Sequence, residues 1–292
     1  MMTAVQPNVR PNPPITTSSV SVEPPVPIRS YTFGELMDMP FGLLQANIKT
    51  LVIVGVTLLL IGEGVVVGVS ALVSVVGGGG GTLVRITVVI TLLLYLWLLR
   101  SILRGVATST GLSSMFGASR TPREALADLR AHGSGFWAHQ AMYTLVGLPF
   151  FLLIIGIVPW PALILALPIQ LWLGRIRVRR YVAVPAIFAE NVDYKLAVWR
   201  SKLLTDRTKG RLNWVWIDHR LLLIPVAIPL LSMNEKLSMF TGTGRWGSIS
   251  LMVFTAILVV AVAEIVEANT RVLAYFDARC RREGFDIRVP TT

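Results

Sequence analysis

The sequence predicts an all-α, polytopic membrane protein: six transmembrane helices as three hairpins, each introduced by a cytoplasmic interfacial helix. Three observations carry this. Of 292 residues, 53% are hydrophobic and only 15% charged, against about 25% charged in ordinary soluble domains. The apolar residues stand in long runs, whereas a soluble core alternates them with polar positions; crossing a bilayer takes about 20 such residues. Lys and Arg gather in alternate loops, as the positive-inside bias requires.

Residues 1–30 carry Pro7, Pro11, Pro13, Pro14, Pro24, Pro25 and Pro27 among Ser and Thr. This composition predicts a disordered cytoplasmic tail, partly polyproline II. It lacks the apolar run of a cleavable signal, so the first hydrophobic helix is expected to act as an uncleaved anchor. The membrane domain is expected over 31–278. Span one is Thr50–Val76, interrupted only by Glu63, and Gly77–Gly81 then form a turn. Span two is Thr82–Leu99, with Arg85 near its start. Residues 141–174 hold no charge and are too long for one crossing. Pro159 and Pro161 divide them, because proline breaks a helix and restricts the residue before it. Span three is therefore Phe136–Val158 and span four Trp160–Leu173, with Trp160 at an interface. Span five, Leu221–Asn234, is short. It crosses only if Trp214 and Trp216 lie at the interface and Arg220 is inside or snorkels. Span six is Ser248–Val272, with Glu264 and Glu267 near its end. Residues 279–292 form a basic cytoplasmic tail.

The net charge is +11. In a soluble protein this would suggest nucleic acid; here the positive-inside rule accounts for it, and no nucleic-acid partner is expected. With both termini in the cytoplasm of a multi-pass protein of the cell membrane, nearly all of the 27 Lys and Arg fall inside, most densely from Arg175 to Arg211. Omitting span five would put the C-terminal arginines outside, so the charge distribution supports that span.

A surface helix is expected before each pair of spans. Thr32-Phe33-Gly34-Glu35 and Thr121-Pro122-Arg123-Glu124 both match the Thr-x-x-Glu capping box, although Pro40 is expected to interrupt the first helix. The third runs through Val192, Leu196, Trp199 and Leu203, an apolar stripe with Lys195, Arg200 and Lys202 on its other face. Such a helix lies among anionic lipid headgroups. The bilayer, anionic headgroups at the basic loops and a membrane-protein partner are the expected contacts.

Charges at membrane depth face a partner or a cavity. Glu63 lies in a face of small residues (Gly55, Gly62, Gly64, Gly68) suited to close helix packing, and it is expected to pair with Arg85 at the start of span two. Glu264 and Glu267 share a helix face, Arg220 lies at similar depth, and Arg271 is placed to pair with Glu267. The plain Leu, Val and Ile of the remaining spans favour a structural reading, in which these charges pair and set helix register, over an ion or substrate path. No Walker loop, His-Glu-x-x-His, Gly-x-Ser-x-Gly or metal-ligand spacing occurs, so neither catalysis, cofactor nor metal is expected. His132 and His139 read as interfacial, and Cys280 as a free thiol. The residues thus predict a non-enzymatic scaffold or accessory subunit; the alternative is a small transporter or lipid-handling protein with a polar site near Glu63 or Glu264.

Three stretches carry a resemblance. Tyr31-Thr32-Phe33-Gly34-Glu35-Leu36-Met37-Asp38 leads into the first span. Arg180–Asn191 (RYVAVPAIFAEN) follows the fourth, and Arg271–Phe285 (RVLAYFDARCRREGF) leaves the last. Together they resemble actinobacterial multi-span proteins related to the membrane domain attached to glycerophosphoryl diester phosphodiesterases. The resemblance implies six spans and no catalytic residue, since the phosphodiesterase activity of fused relatives belongs to a separate soluble barrel.

Overall fold

The computed structural model describes residues 25–77, 81–157, 172, 174–242 and 244–285; the side chains of 146–157, 220–228, 231, 234, 235, 238, 239 and 241 lie outside the described set. The described residues are helical, without strands. In chain order the helices are α1 (Phe33–Ala46), α2 (Ile48–Val76), α3 (Gly81–Ser114), α4 (Pro122–Ala131), α5 (Gly133–Ile157), α6 (Ala183–Glu190), α7 (Tyr194–Thr205), α8 (Lys209–Thr241) and α9 (Gly244–Glu283). Among the described residues, α2, α3 and α9 are long and apolar enough to cross a membrane. The helices α5 and α8 cover the regions expected for spans three and five; span four falls on residues outside the described set.

Local chemistry sets several helix starts. Both capping boxes form: Thr32 accepts from the Glu35 amide and Thr121 from the Glu124 amide, while each glutamate accepts from the threonine backbone N–H. Pro122 takes the first helical position, where its missing N–H costs nothing. Contrary to expectation, α1 runs through Pro40 without a break. Asn47 ends it, its amide donating to the Leu43 carbonyl and to Ser114 on α3.

Two buried layers follow. In the first, Leu51, Val54 and Val66 of α2, Val88, Tyr95 and Leu99 of α3, and Val253 and Ile257 of α9 pack together. The outward faces here remain apolar and exposed, including Val52, Leu60, Leu72, Ile90 and Leu94. A continuous surface of that kind is what lipid covers. In the second, the ends of α3 and α9 pack with α1, α6, α7 and the start of α8, through Leu36, Leu43, Met115, Ile187, Ala197, Val215 and Phe276. The 34 residues of α3 and 40 of α9 reach about 51 and 60 Å at 1.5 Å per residue, beyond a hydrocarbon thickness of about 30 Å. They therefore run through both layers. The change is abrupt. From Ser101 to Ser114 every residue but Ile102 is buried, and from Glu264 to Cys280 every one but Glu267 and Arg279.

The glycine face of α2 is narrower than its sequence suggests. A methyl group at Gly62 would overlap Tyr95 and Ile257, whereas Gly55, Gly64 and Gly68 have nothing within 4 Å. The third surface helix also differs. It starts at Tyr194, capped by Asp193, so Val192 lies before it. Its core face is Ala197, Val198, Ser201 and Leu204, while Leu196 and Trp199 stay exposed beside Lys195 and Lys202. Small residues fit against neighbouring helices; the large ones point outward with the lysines alongside. Near the start of α8, Trp214 is exposed but Trp216 is buried in the second layer, not at an interface.

The stretches Tyr31–Asp38, Arg180–Asn191 and Arg271–Phe285 meet in space. Asp277 on α9 accepts from the Tyr31 backbone N–H at 2.8 Å, from Arg281 Nε at 2.9 Å and from Arg211 of α8. The same two arginines donate to the Tyr31 carbonyl. Tyr275 donates to Glu190 at the end of α6, which also receives Arg200 of α7. Val26 is buried in the second layer, and α9 continues to Glu283.

Candidate functional site

A charged cluster lies where α3 and α9 pass from the exposed apolar layer into the buried one. Arg100 and Arg104 are four apart on α3, and Glu264, Glu267 and Arg271 follow at three and four on α9; these spacings bring side chains onto one face. Glu264 joins the helices: its two oxygens accept from Arg100 Nε at 2.9 Å and Arg104 Nε at 2.5 Å. The side chains of Glu264 and Arg104 are 1% and 3% exposed, that of Arg100 38%. Arg104 Nη1 also donates to Gln140 of α5 at 2.8 Å. Arg271, fully buried, donates to Glu267 at 2.5 Å and lies 4.8 Å from the Tyr181 ring centroid.

Tyr143 on α5 sits among the cations. Its ring centroid is 4.8 Å from the guanidinium of Arg177 and 5.3 Å from those of both Arg104 and Arg271. Such contacts stabilise by about 0.5–2 kcal/mol each, more as water is excluded. One turn away, His139 is buried between Tyr143 and Tyr194, and neither ring nitrogen has a hydrogen-bond partner among the described residues.

Two cavities flank the Arg100–Glu264 pair. The larger, about 470 Å³, has an apolar wall of Leu93, Leu94, Leu96, Trp97 and Val260 and a polar floor of Arg100, Arg104, Arg177, Gln140, Tyr143 and Thr144. Trp97 is held by its Nε1–H donating to Thr144 at 2.8 Å. Because Leu93, Leu94 and Trp97 are exposed, the wall is continuous with the outer apolar surface. The smaller, about 160 Å³, is lined by Arg100, Tyr181, Trp216, His219, Glu264 and Glu267, among others.

The residues singled out from sequence are therefore dispersed. Glu264, Glu267 and Arg271 lie in this cluster. Glu63 accepts from Ser250 of α9, and its second oxygen has no partner among the described residues. Arg85 is exposed and forms no ion pair with it. Arg220 is carried by α8, with its side chain outside the described residues. Arg100, Arg104, Gln140, Tyr143 and Arg177 are not among the residues singled out from sequence. Their signal was present: two arginines four apart at the end of an apolar run, and Gln140, Tyr143 and Thr144 on one face entering a chargeless segment. No group of three or more His, Cys, Asp and Glu suited to a metal ion occurs among the described residues.

The arrangement can hold a molecule that is apolar at one end and anionic at the other. No family model matches the chain, and neither a curated protein nor a solved structure is similar to it.

Proposed function

We propose that this chain is a six-span protein of the cell membrane, its three hairpins introduced by α1, α4 and α7 and both termini cytoplasmic, which handles lipid through a cavity beside Glu264. One observation carries the reading. A cavity of about 470 Å³ divides into an apolar wall reaching the outer surface and a floor of guanidinium groups. A pocket of that size lies within the ordinary range for small-molecule sites, about 300–1,000 Å³. The placement of Lys and Arg favours the orientation, and the family resemblance favours the same six-span layout. The exposed Leu196 and Trp199, flanked by Lys195 and Lys202, suit α7 to the headgroup region. A scaffold or accessory subunit is the second reading, favoured by the ion pairs of Glu264 and Glu267, but it gives the cavity no role.

The test has two parts. Single cysteines placed in the loops of a Cys280→Ser background report sidedness; labelling of the 175–211 loop only from outside the cell would overturn the topology. Protein extracted from its own membrane and exchanged through detergent is assayed for bound lipid by native mass spectrometry. A lipid adduct persisting through exchange is expected, and lipid-free protein of unchanged stability would overturn the lipid-handling reading.

A further inference from the structure

We infer that the larger cavity takes one phosphate-bearing anionic amphiphile, its phosphate held by Arg100, Arg104 and Arg177 and its chain lying along Leu93, Leu94 and Trp97. This deepens the lipid-handling reading and rests on it.

The charge balance points to an anion. Among the described residues around the site, three guanidinium groups (Arg100, Arg104, Arg271) pair with two carboxylates, Glu264 and Glu267. Unbalanced charge at this depth is costly, and an anionic ligand removes the cost.

The way Glu264 is used points to the same place. It takes only the Nε–H of each α3 arginine. Arg104 gives one terminal amino group to Gln140, whereas those of Arg100 have no acceptor among the described residues. Glu264 thus orients two forks while leaving terminal donors to line the cavity. Planar guanidinium forks match phosphate oxygens two at a time. Arginines arriving from two separate elements, α3 and the 174–178 segment, suit the several oxygens of a tetrahedral anion better than the two of a planar carboxylate.

The apolar wall separates an amphiphile from a soluble phosphate. Leu93 and Leu94 precede Arg100 by about two turns of α3, about 9–10 Å along the axis, on the side that is exposed and apolar. A headgroup at the arginines therefore has its chain directed along the outer apolar surface. The cavity accommodates the headgroup and the first part of a chain, the rest lying in the bilayer.

The experiment reconstitutes the full chain in nanodiscs of phosphatidylcholine doped with phosphatidic acid or phosphatidylglycerol, and measures lipids retained after detergent exchange by native mass spectrometry. Inorganic phosphate is added as competitor in a parallel arm. One retained anionic phospholipid is expected, enriched at least about tenfold over phosphatidylcholine, with little displacement by inorganic phosphate and a loss of about tenfold in Arg100→Gln. The wild-type headgroup comparison needs no variant, so a misfolded Arg100→Gln does not blunt the test. Equal retention of anionic phospholipid and of phosphatidylcholine, whose phosphate is offset by its choline, would overturn the anionic-amphiphile inference and leave lipid handling standing. Displacement by inorganic phosphate as readily as by lipid would overturn the amphiphile. Retention of no lipid at all would overturn the lipid-handling reading itself.

Discussion

The Arg104–Glu264 pair gives a sharp energetic test of the junction between the two layers. Both side chains are almost fully buried, and α3 and α9 carry one each. Removing one member of a buried pair costs about 3–5 kcal/mol, because the other is left charged and unpaired. Glu264→Leu should fall near the middle of that range, about 4 kcal/mol. It strands Arg104, with Arg271 across the same tyrosine ring, whereas Arg100 is the less buried of the two arginines that Glu264 pairs. Arg104→Leu should cost less, about 2 kcal/mol, one charge-assisted hydrogen bond, because Glu264 keeps Arg100 at 2.9 Å. The double variant removes the orphaned charge together with its cause, so it should cost about 3 kcal/mol and not the sum, a coupling near the upper end of the usual range for contacting residues. Unfolding in mixed micelles of rising SDS fraction, followed by far-UV circular dichroism, measures all three. Costs that add to within about 0.5 kcal/mol would refute the reasoning, since independent sites add and a buried pair does not.

Other outcomes follow from packing and titration. Gly62→Ala should destabilise by about 1–3 kcal/mol, because the new methyl meets the Tyr95 ring and Ile257; Gly68→Ala, with open space around it, should stay within about 0.5 kcal/mol. Equal effects in the same micelle assay would contradict the assigned rotation of α2. Asp277→Asn removes the charge that gathers Arg211, Arg281 and the Tyr31 amide; amide exchange over residues 25–32 should accelerate before that of α9, and simultaneous acceleration would show that the contact is no clasp. The docking of α4 should depend on pH. Burial opposes ionisation of Asp128, but His132, Ser109 and Arg120 together hold its carboxyl below its usual range, and the Asp128 hydrogen bond raises His132 above its own. The aspartate contribution is present above about pH 4 and lost as pH falls through its lowered value. The histidine contribution is present below about pH 6.5 and lost as pH rises through its raised value. Exchange protection of α4 should therefore be greatest between about pH 4 and 6.5; His132→Gln should abolish the fall at higher pH, and an unchanged profile would refute the pairing.

The sequence by itself determined what depends on a few neighbouring residues or on a long run. The two Thr-x-x-Glu boxes are complete within four positions, so both helix starts were legible. The 50–76, 82–99 and 248–272 runs were legible because hydrophobic length needs no tertiary partner. Tertiary structure alone decided which way each helix faces and what its charges meet. Glu264 finds Arg104 across 160 positions, and the arginines looked like ordinary loop charges because α3 was expected to end at Leu99, where it in fact continues to Ser114. The same limit explains Gly62 against Gly55, Gly64 and Gly68. A helix in lipid is apolar all round, since the bilayer is as apolar as a neighbouring leucine, and its sequence carries little of the periodicity that marks a packed face in water. The rotation that puts Gly62 against Tyr95, and the junction that turns Arg100 and Arg104 from loop charges into the floor of a cavity, exist only once α2, α3 and α9 are placed side by side.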